Sequence, residues 1–180
     1  MRSFVAIPVP EPMAGRLEDL TASLDIGTAV PAENMHLTLA FLGDQTQATL
    51  GDLDDLLAEP DAAPFSLTLD GLGTFGDARP RVLFAAVSPE PALSPLRRRV
   101  RRAAVDAGIE LSHERFVPHI TLARFGRGLE GEDIARLQAF IARRMGHAAG
   151  TIEVGDFALY ESRLARGGPI YEELAVYKLG

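Results

Sequence analysis

The chain has no cysteine and no tryptophan, and Lys178 is the single lysine among its 18 cationic residues. Without a thiol there is no disulfide, no thiolate nucleophile and no cysteine-type zinc site. No apolar run approaches the roughly 18 residues that cross a bilayer, so a membrane partner is not expected. The apolar stretch that begins at Phe4 is stopped at once by Pro8, and it reads as a first strand rather than a leader, which makes cytoplasmic localisation the expectation. Basic character is also missing. A formal net charge of −7 argues against a protein that coats nucleic acid generally, though not against a local cationic cleft that holds one phosphate. Arginine supplies 17 of the 18 cations and suits bidentate phosphate contacts, although genomic base bias would produce the same surplus.

What the chain does have is one motif stated twice. His36-Leu37-Thr38-Leu39-Ala40-Phe41 returns as His119-Ile120-Thr121-Leu122-Ala123-Arg124, 83 positions later in a chain of 180. Each copy is rich in residues that favour strands, and each alternates. Side chains two apart on a strand share a face. His36 therefore points with Thr38, and His119 with Thr121, while the intervening Leu and Ile residues turn into a core.

The remaining pattern supplies a scaffold for these two strands. Strands are predicted over 2–8, about 35–42, 65–69 with a continuation through Gly71, Gly73 and Gly76, 81–87, and 118–125. Helices are predicted from about Pro12, with Leu17, Leu20 and Leu24 on one face, and over about 48–58 on Leu50, Leu53, Leu56 and Leu57. A third helix takes Ser94 as N-cap and Pro95 as its first residue, and ends at Gly108. Arg97, Arg98, Arg99, Arg101 and Arg102 occupy its other faces, where a solvated surface is expected ahead of an RNA-binding one. A fourth helix spans about 132–144. Residues 152–160 and 171–179 are expected to form a hairpin closed by 162–169, with a β-bulge at Gly155 where the apolar parity slips. His113 and His147 are expected at the surface.

Both halves thus run helix, His strand, helix, paired strands. The expected fold is α+β (mixed α/β): a single domain over 1–180, with two pseudo-symmetric lobes of antiparallel-rich sheet, outer helices and a central cleft.

One His-x-Thr on a strand usually means a structural histidine. Retention of both polar residues in two copies points instead to chemistry. Imidazoles titrate near neutrality, so one can act as a base while the other acts as an acid. Breaking a phosphodiester needs both, on opposite sides of phosphorus, and the threonine hydroxyls can hold the non-bridging oxygens. The rival readings are a module that binds RNA ends without cleaving them, and a metal site. Against the second, neither motif carries the carboxylate that usually completes a two-histidine site.

The segments His36-Leu37-Thr38-Leu39-Ala40-Phe41-Leu42-Gly43 and Arg115-Phe116-Val117-Pro118-His119-Ile120-Thr121-Leu122-Ala123-Arg124 resemble the paired signatures of the 2H phosphoesterase superfamily. The similarity is greatest to its RNA 2′,3′-cyclic phosphodiesterase branch, also called the 2′-5′ RNA ligase family. It extends to Arg2–Ile7, Arg79–Phe84 and the Leu159–Ser162 and Gly168–Tyr171 segments. The resemblance implies hydrolysis of RNA terminal 2′,3′-cyclic phosphate to a 2′-phosphomonoester, with RNA termini or small cyclic nucleotides as partners and no metal or cofactor. End-joining through a 2′-5′ bond is the alternative activity, and a monomer is expected. His36 becomes the proton donor to the leaving oxygen and His119 the acceptor that activates water. Thr38, Thr121 and Arg124 become phosphate ligands. Strict alternation would turn Arg124 away from His119, so its role requires a bulge, a strand end or strong twist. Phe41, and Phe84 where the family often has tryptophan, are candidates for base stacking or for core packing.

Overall fold

The computed structural model describes residues 1–59 and 62–180. Among the described residues nine strands run in order: β1 (Arg2–Pro8), β2 (Thr28–Ala29), β3 (His36–Asp44), β4 (Phe65–Phe75), β5 (Val82–Val87), β6 (His119–Arg124), β7 (Gly150–Val154), β8 (Asp156–Ala165) and β9 (Gly168–Lys178). Between them lie α1 (Met13–Thr21), α2 (Gln47–Leu57), α3 (Leu93–Asp106) and α4 (Glu132–Arg144), with short 3₁₀ turns at Ala32–Asn34 and Met145–Ala148. The strands form two antiparallel sheets, β3-β1-β8-β9 and β2-β6-β5-β4-β7. Each sheet carries one His-x-Thr strand, and β3 and β6 touch where the sheets meet. The α+β class expected from the sequence is the observed one.

The sheets do not coincide with the halves of the chain. β4 follows β3 and α2 in sequence but lies beside β5 in the second sheet, while β8 lies beside β1 in the first. Helices are displaced likewise: α1 packs on β6, and α3 packs on β3. One hydrophobic cluster runs through both sheets, including Val5, Leu37, Leu83, Leu122 and Phe157. Phe4 and Phe84 are buried but lie outside that cluster, because their strand parity puts them with the histidines.

Several expectations change in detail. The slip at Gly155 is not a bulge within one strand. It is the crossing point where β7 leaves the second sheet and β8 enters the first. The hairpin is therefore β8–β9, and its pairing continues through Ser162 and Pro169 to Ala165 and Gly168. Helix α3 starts two residues before Pro95, at Leu93, without a side-chain cap from Ser94. Leu93 is only 2% exposed, so its burial draws the helix back. Proline is still tolerated there because first-turn N–H groups lack intrahelical partners. In α2, Leu50, Leu53 and Leu57 are buried but Leu56 is exposed, and Thr46 caps the helix by accepting from the Thr49 N–H at 3.1 Å. β3 continues through Gly43 and Asp44, which pair with Ser3 and Arg2.

Candidate active site

His36 and His119 open their strands in the same local way. The Nδ1 of His36 donates to the Asn34 carbonyl at 2.8 Å, and the Nδ1 of His119 donates to the Val117 carbonyl at 2.7 Å. A carbonyl oxygen only accepts, so Nδ1 carries the proton in each neutral ring and Nε2 is left with its lone pair. Both rings rest on aromatic side chains. His36 stacks on Phe4 at 4.7 Å between centroids and meets the edge of Tyr171 at 5.3 Å. His119 meets Phe75 edge-on at 4.8 Å and Phe84 at 5.3 Å. These contacts fix the rings while leaving one nitrogen of each free.

The same irregularity follows each His-x-Thr. In β6, Thr121 pairs with Phe84 and Ala123 with Leu83, which leaves Leu122 as an extra residue. In β3, Thr38 pairs with Ala6 and Ala40 with Val5, which leaves Leu39 extra at the matching position. A one-residue bulge reverses the side-chain parity beyond it. Leu122 and Ala123 are accordingly both buried, as are Leu39 and Ala40. Arg124 and Phe41 then return to the histidine face. The obstacle that strict alternation raises for Arg124 is removed by this bulge.

His36, Thr38, Phe41, His119, Thr121 and Arg124 all line one cleft of about 390 Å³. Among the described residues neither threonine hydroxyl has a hydrogen-bond partner in the protein. Phe41 is 64% exposed, at the cleft's surface. Phe84 is different: it is 8% exposed and packed between Phe75 and His119, so it supports the histidine from below and offers no open face to a base. The tip of its ring covers Gly73, where a Cβ would come within 2.5 Å of it. His113 and His147 are exposed, as expected.

Burial pushes the His36 pKa down to about 4. The hydrogen bond to Asn34 opposes that shift, and the nearby Arg124 and His119 add to it. His119 is also lowered, first by burial, against the support of its Val117 hydrogen bond and with Arg124 contributing. Arg124 thus sits close enough to both imidazoles to disfavour their cationic forms. Among the described residues no cluster of three histidine or carboxylate side chains could hold a metal ion.

Some cleft residues were not identified in the sequence. Phe4, Phe75 and Tyr171 hold the rings, but an aromatic residue on a strand carries no mark of that duty. Arg97 and Arg101 line the cleft from α3, contrary to the expected solvated face. Their i, i+4 spacing does place them on one helical face, and that signal was present.

The sequence model of the 2′-5′ RNA ligase superfamily matches residues 9–163. The RNA 2′,3′-cyclic phosphodiesterase of Geobacillus stearothermophilus is 36% identical over 183 residues, covering 98% of this chain, which spans only 56% of that protein's length. Its Archaeoglobus fulgidus counterpart is 31% identical, with 99% of this chain and 100% of that protein covered. Apo LigT of E. coli has the same fold at a TM-score of 0.81 and 30% identity, covering 99% of this chain and 96% of that one. Further structures hold LigT with 3′-AMP, NADP+, ATP or phosphate.

Proposed function

This chain belongs to the 2′-5′ RNA ligase superfamily, and on that premise we propose that it hydrolyses RNA terminal 2′,3′-cyclic phosphate to a 2′-phosphomonoester through two histidines and without a metal. The supporting observation is the matched pair of imidazoles. Each is held at Nδ1 by a carbonyl two residues upstream, and both line one cleft with two free hydroxyls and an arginine.

His119 Nε2 takes a proton from water as the water oxygen bonds to phosphorus. The P–O3′ bond breaks on the opposite side, and His36 Nε2 gives its proton to the departing oxygen. Thr38 and Thr121 donate to the non-bridging oxygens, and Arg124 balances the charge that gathers on them. The ribose stays bonded to phosphorus through O2′, and its freed O3′ hydroxyl lies on the His36 side, where the exposed Phe41 ring offers a face to the base. The two histidines end in exchanged protonation states and are reset by solvent. All the groups come from one chain, so a single copy is sufficient for the chemistry, acting on RNA ends in the cytoplasm.

The decisive experiment treats RNA ending in 2′,3′-cyclic phosphate with the purified protein in chelator and identifies the product. A 2′-phosphate is expected. His36→Ala and His119→Ala should each lower turnover by about 10²-fold or more with the fold retained. Turnover above about a tenth of wild type in either variant would sink the two-histidine mechanism, and activity lost in chelator but restored by zinc would replace it with a metal mechanism.

A further inference from the structure

Helix α3 crowds five arginines into six positions of a chain whose net charge is −7. Among the described residues only Arg102 pairs with a carboxylate, Asp106, at 3.1 Å. Arg97 and Arg101 form part of the cleft wall beside the histidines. The Arg97 guanidinium lies over the Phe116 ring at 4.2 Å, and its Nε is buried without a partner among the described residues. Arg101 reaches the Ser112 carbonyl at 2.8 Å, which holds it against the cleft rim. The same two arginines border a shallow outer groove on α3 that continues to Arg98 and Arg102. The cleft therefore opens onto a cationic track.

We infer that this face of α3 carries the sugar–phosphate backbone of the RNA upstream of the terminal cyclic phosphate, so that the enzyme prefers an RNA end over a cyclic mononucleotide. The inference rests on the cyclic phosphodiesterase reading of the cleft. Both O2′ and O3′ of the terminal ribose are taken up in the cyclic phosphate, so the chain can leave only through the 5′ oxygen. In the proposed mechanism that ribose lies on the His36 side, and α3 packs on β3, the strand of His36. A polyanion leaving the cleft there meets arginines that suit phosphate recognition. Glu114, also in the cleft wall, is the nearby carboxylate that this track must pass. A mononucleotide, filling only the cleft, reaches none of the outer charges.

The test compares wild type with Arg98→Glu/Arg102→Glu, two exposed positions that do not line the cleft. Substrates are a short oligoribonucleotide ending in 2′,3′-cyclic phosphate and the corresponding cyclic mononucleotide. Charge reversal should lower kcat/KM for the oligonucleotide by about tenfold or more at low salt, an effect that fades as salt rises. The mononucleotide value should stay within about twofold, since cleft chemistry is untouched. Equal effects on both substrates, or none on the oligonucleotide, would overturn the inference. Binding of a labelled oligonucleotide ending in 2′-phosphate, followed by anisotropy, separates this failure from that of the parent reading. If the wild type cleaves neither substrate the catalytic reading falls, whereas α3 still fails or passes on whether charge reversal weakens the oligonucleotide's Kd.

Discussion

His36 and His119 begin identical motifs in unequal electrostatic settings. In the free protein burial holds His36 near a pKa of about 4, and it also lowers His119. Both rings are therefore neutral at neutral pH, which suits a base but not an acid. A bound phosphodiester changes this, because an anion between the rings favours protonation and offsets the repulsion from Arg124. The acid must be protonated, so its rate limb falls as pH rises through its pKa. The base must be neutral, so its limb falls as pH drops through its own. Since kcat/KM reports the free enzyme and kcat the complex, the kcat/KM optimum should lie about one pH unit or more below the kcat optimum. Profiles of both parameters from pH 4 to 9 on a cyclic mononucleotide would check this. Coincident optima would mean that substrate does not raise the acid's pKa.

At the scale of the elements, two local devices build the site: the bulge after each His-x-Thr and the glycine beneath Phe84. The bulge was half legible. Leu39-Ala40 and Leu122-Ala123 are consecutive apolar pairs that break alternation, yet an extra residue shows itself only once the partner strand fixes the register. Gly73 could be read as a close backbone approach, but not what approaches it. The ring of Phe84 lies over it and is confined by Phe75 at 4.3 Å and by His119 at 5.3 Å. In Gly73→Ala the new methyl would meet that ring, and any shift of the ring is felt by Phe75 and His119, which pack against it. Such overpacking costs about 1–3 kcal/mol of stability. In the proposed mechanism turnover should fall about tenfold or more, because His119 as a misplaced base is penalised steeply. Adding Phe84→Leu should restore part of the lost turnover. Thermal melts and kcat measured together are the check, and an unchanged kcat would show that Phe84 does not position His119. Gly155 repeats the lesson in another form. Its parity slip was visible, but a bulge and a change of sheet leave the same trace in a sequence, and only long-range pairing distinguishes them.

Across the whole molecule, the repeat announced two lobes correctly but assigned each to one half of the chain. The exchange of β4 and β8 between sheets, and of α1 and α3 between lobes, could not be seen, because hydrophobic periodicity reports which face is buried and not against what. This exchange has a thermodynamic consequence. Neither half can complete its sheet alone, and one apolar cluster links both sheets. Separate melting of the lobes would expose the shared core, so unfolding should be a single cooperative step. The chain supplies its own local probe: its 3 tyrosines, Tyr160, Tyr171 and Tyr177, all lie on β8 and β9 of the four-stranded sheet, and there is no tryptophan. Tyrosine fluorescence therefore follows that sheet alone, whereas far-UV circular dichroism follows all the helices and strands. In urea the two transitions should share one midpoint and one slope. A fluorescence transition displaced from the dichroism transition would mean that the lobes are separable units, and the strand exchange would then not couple them.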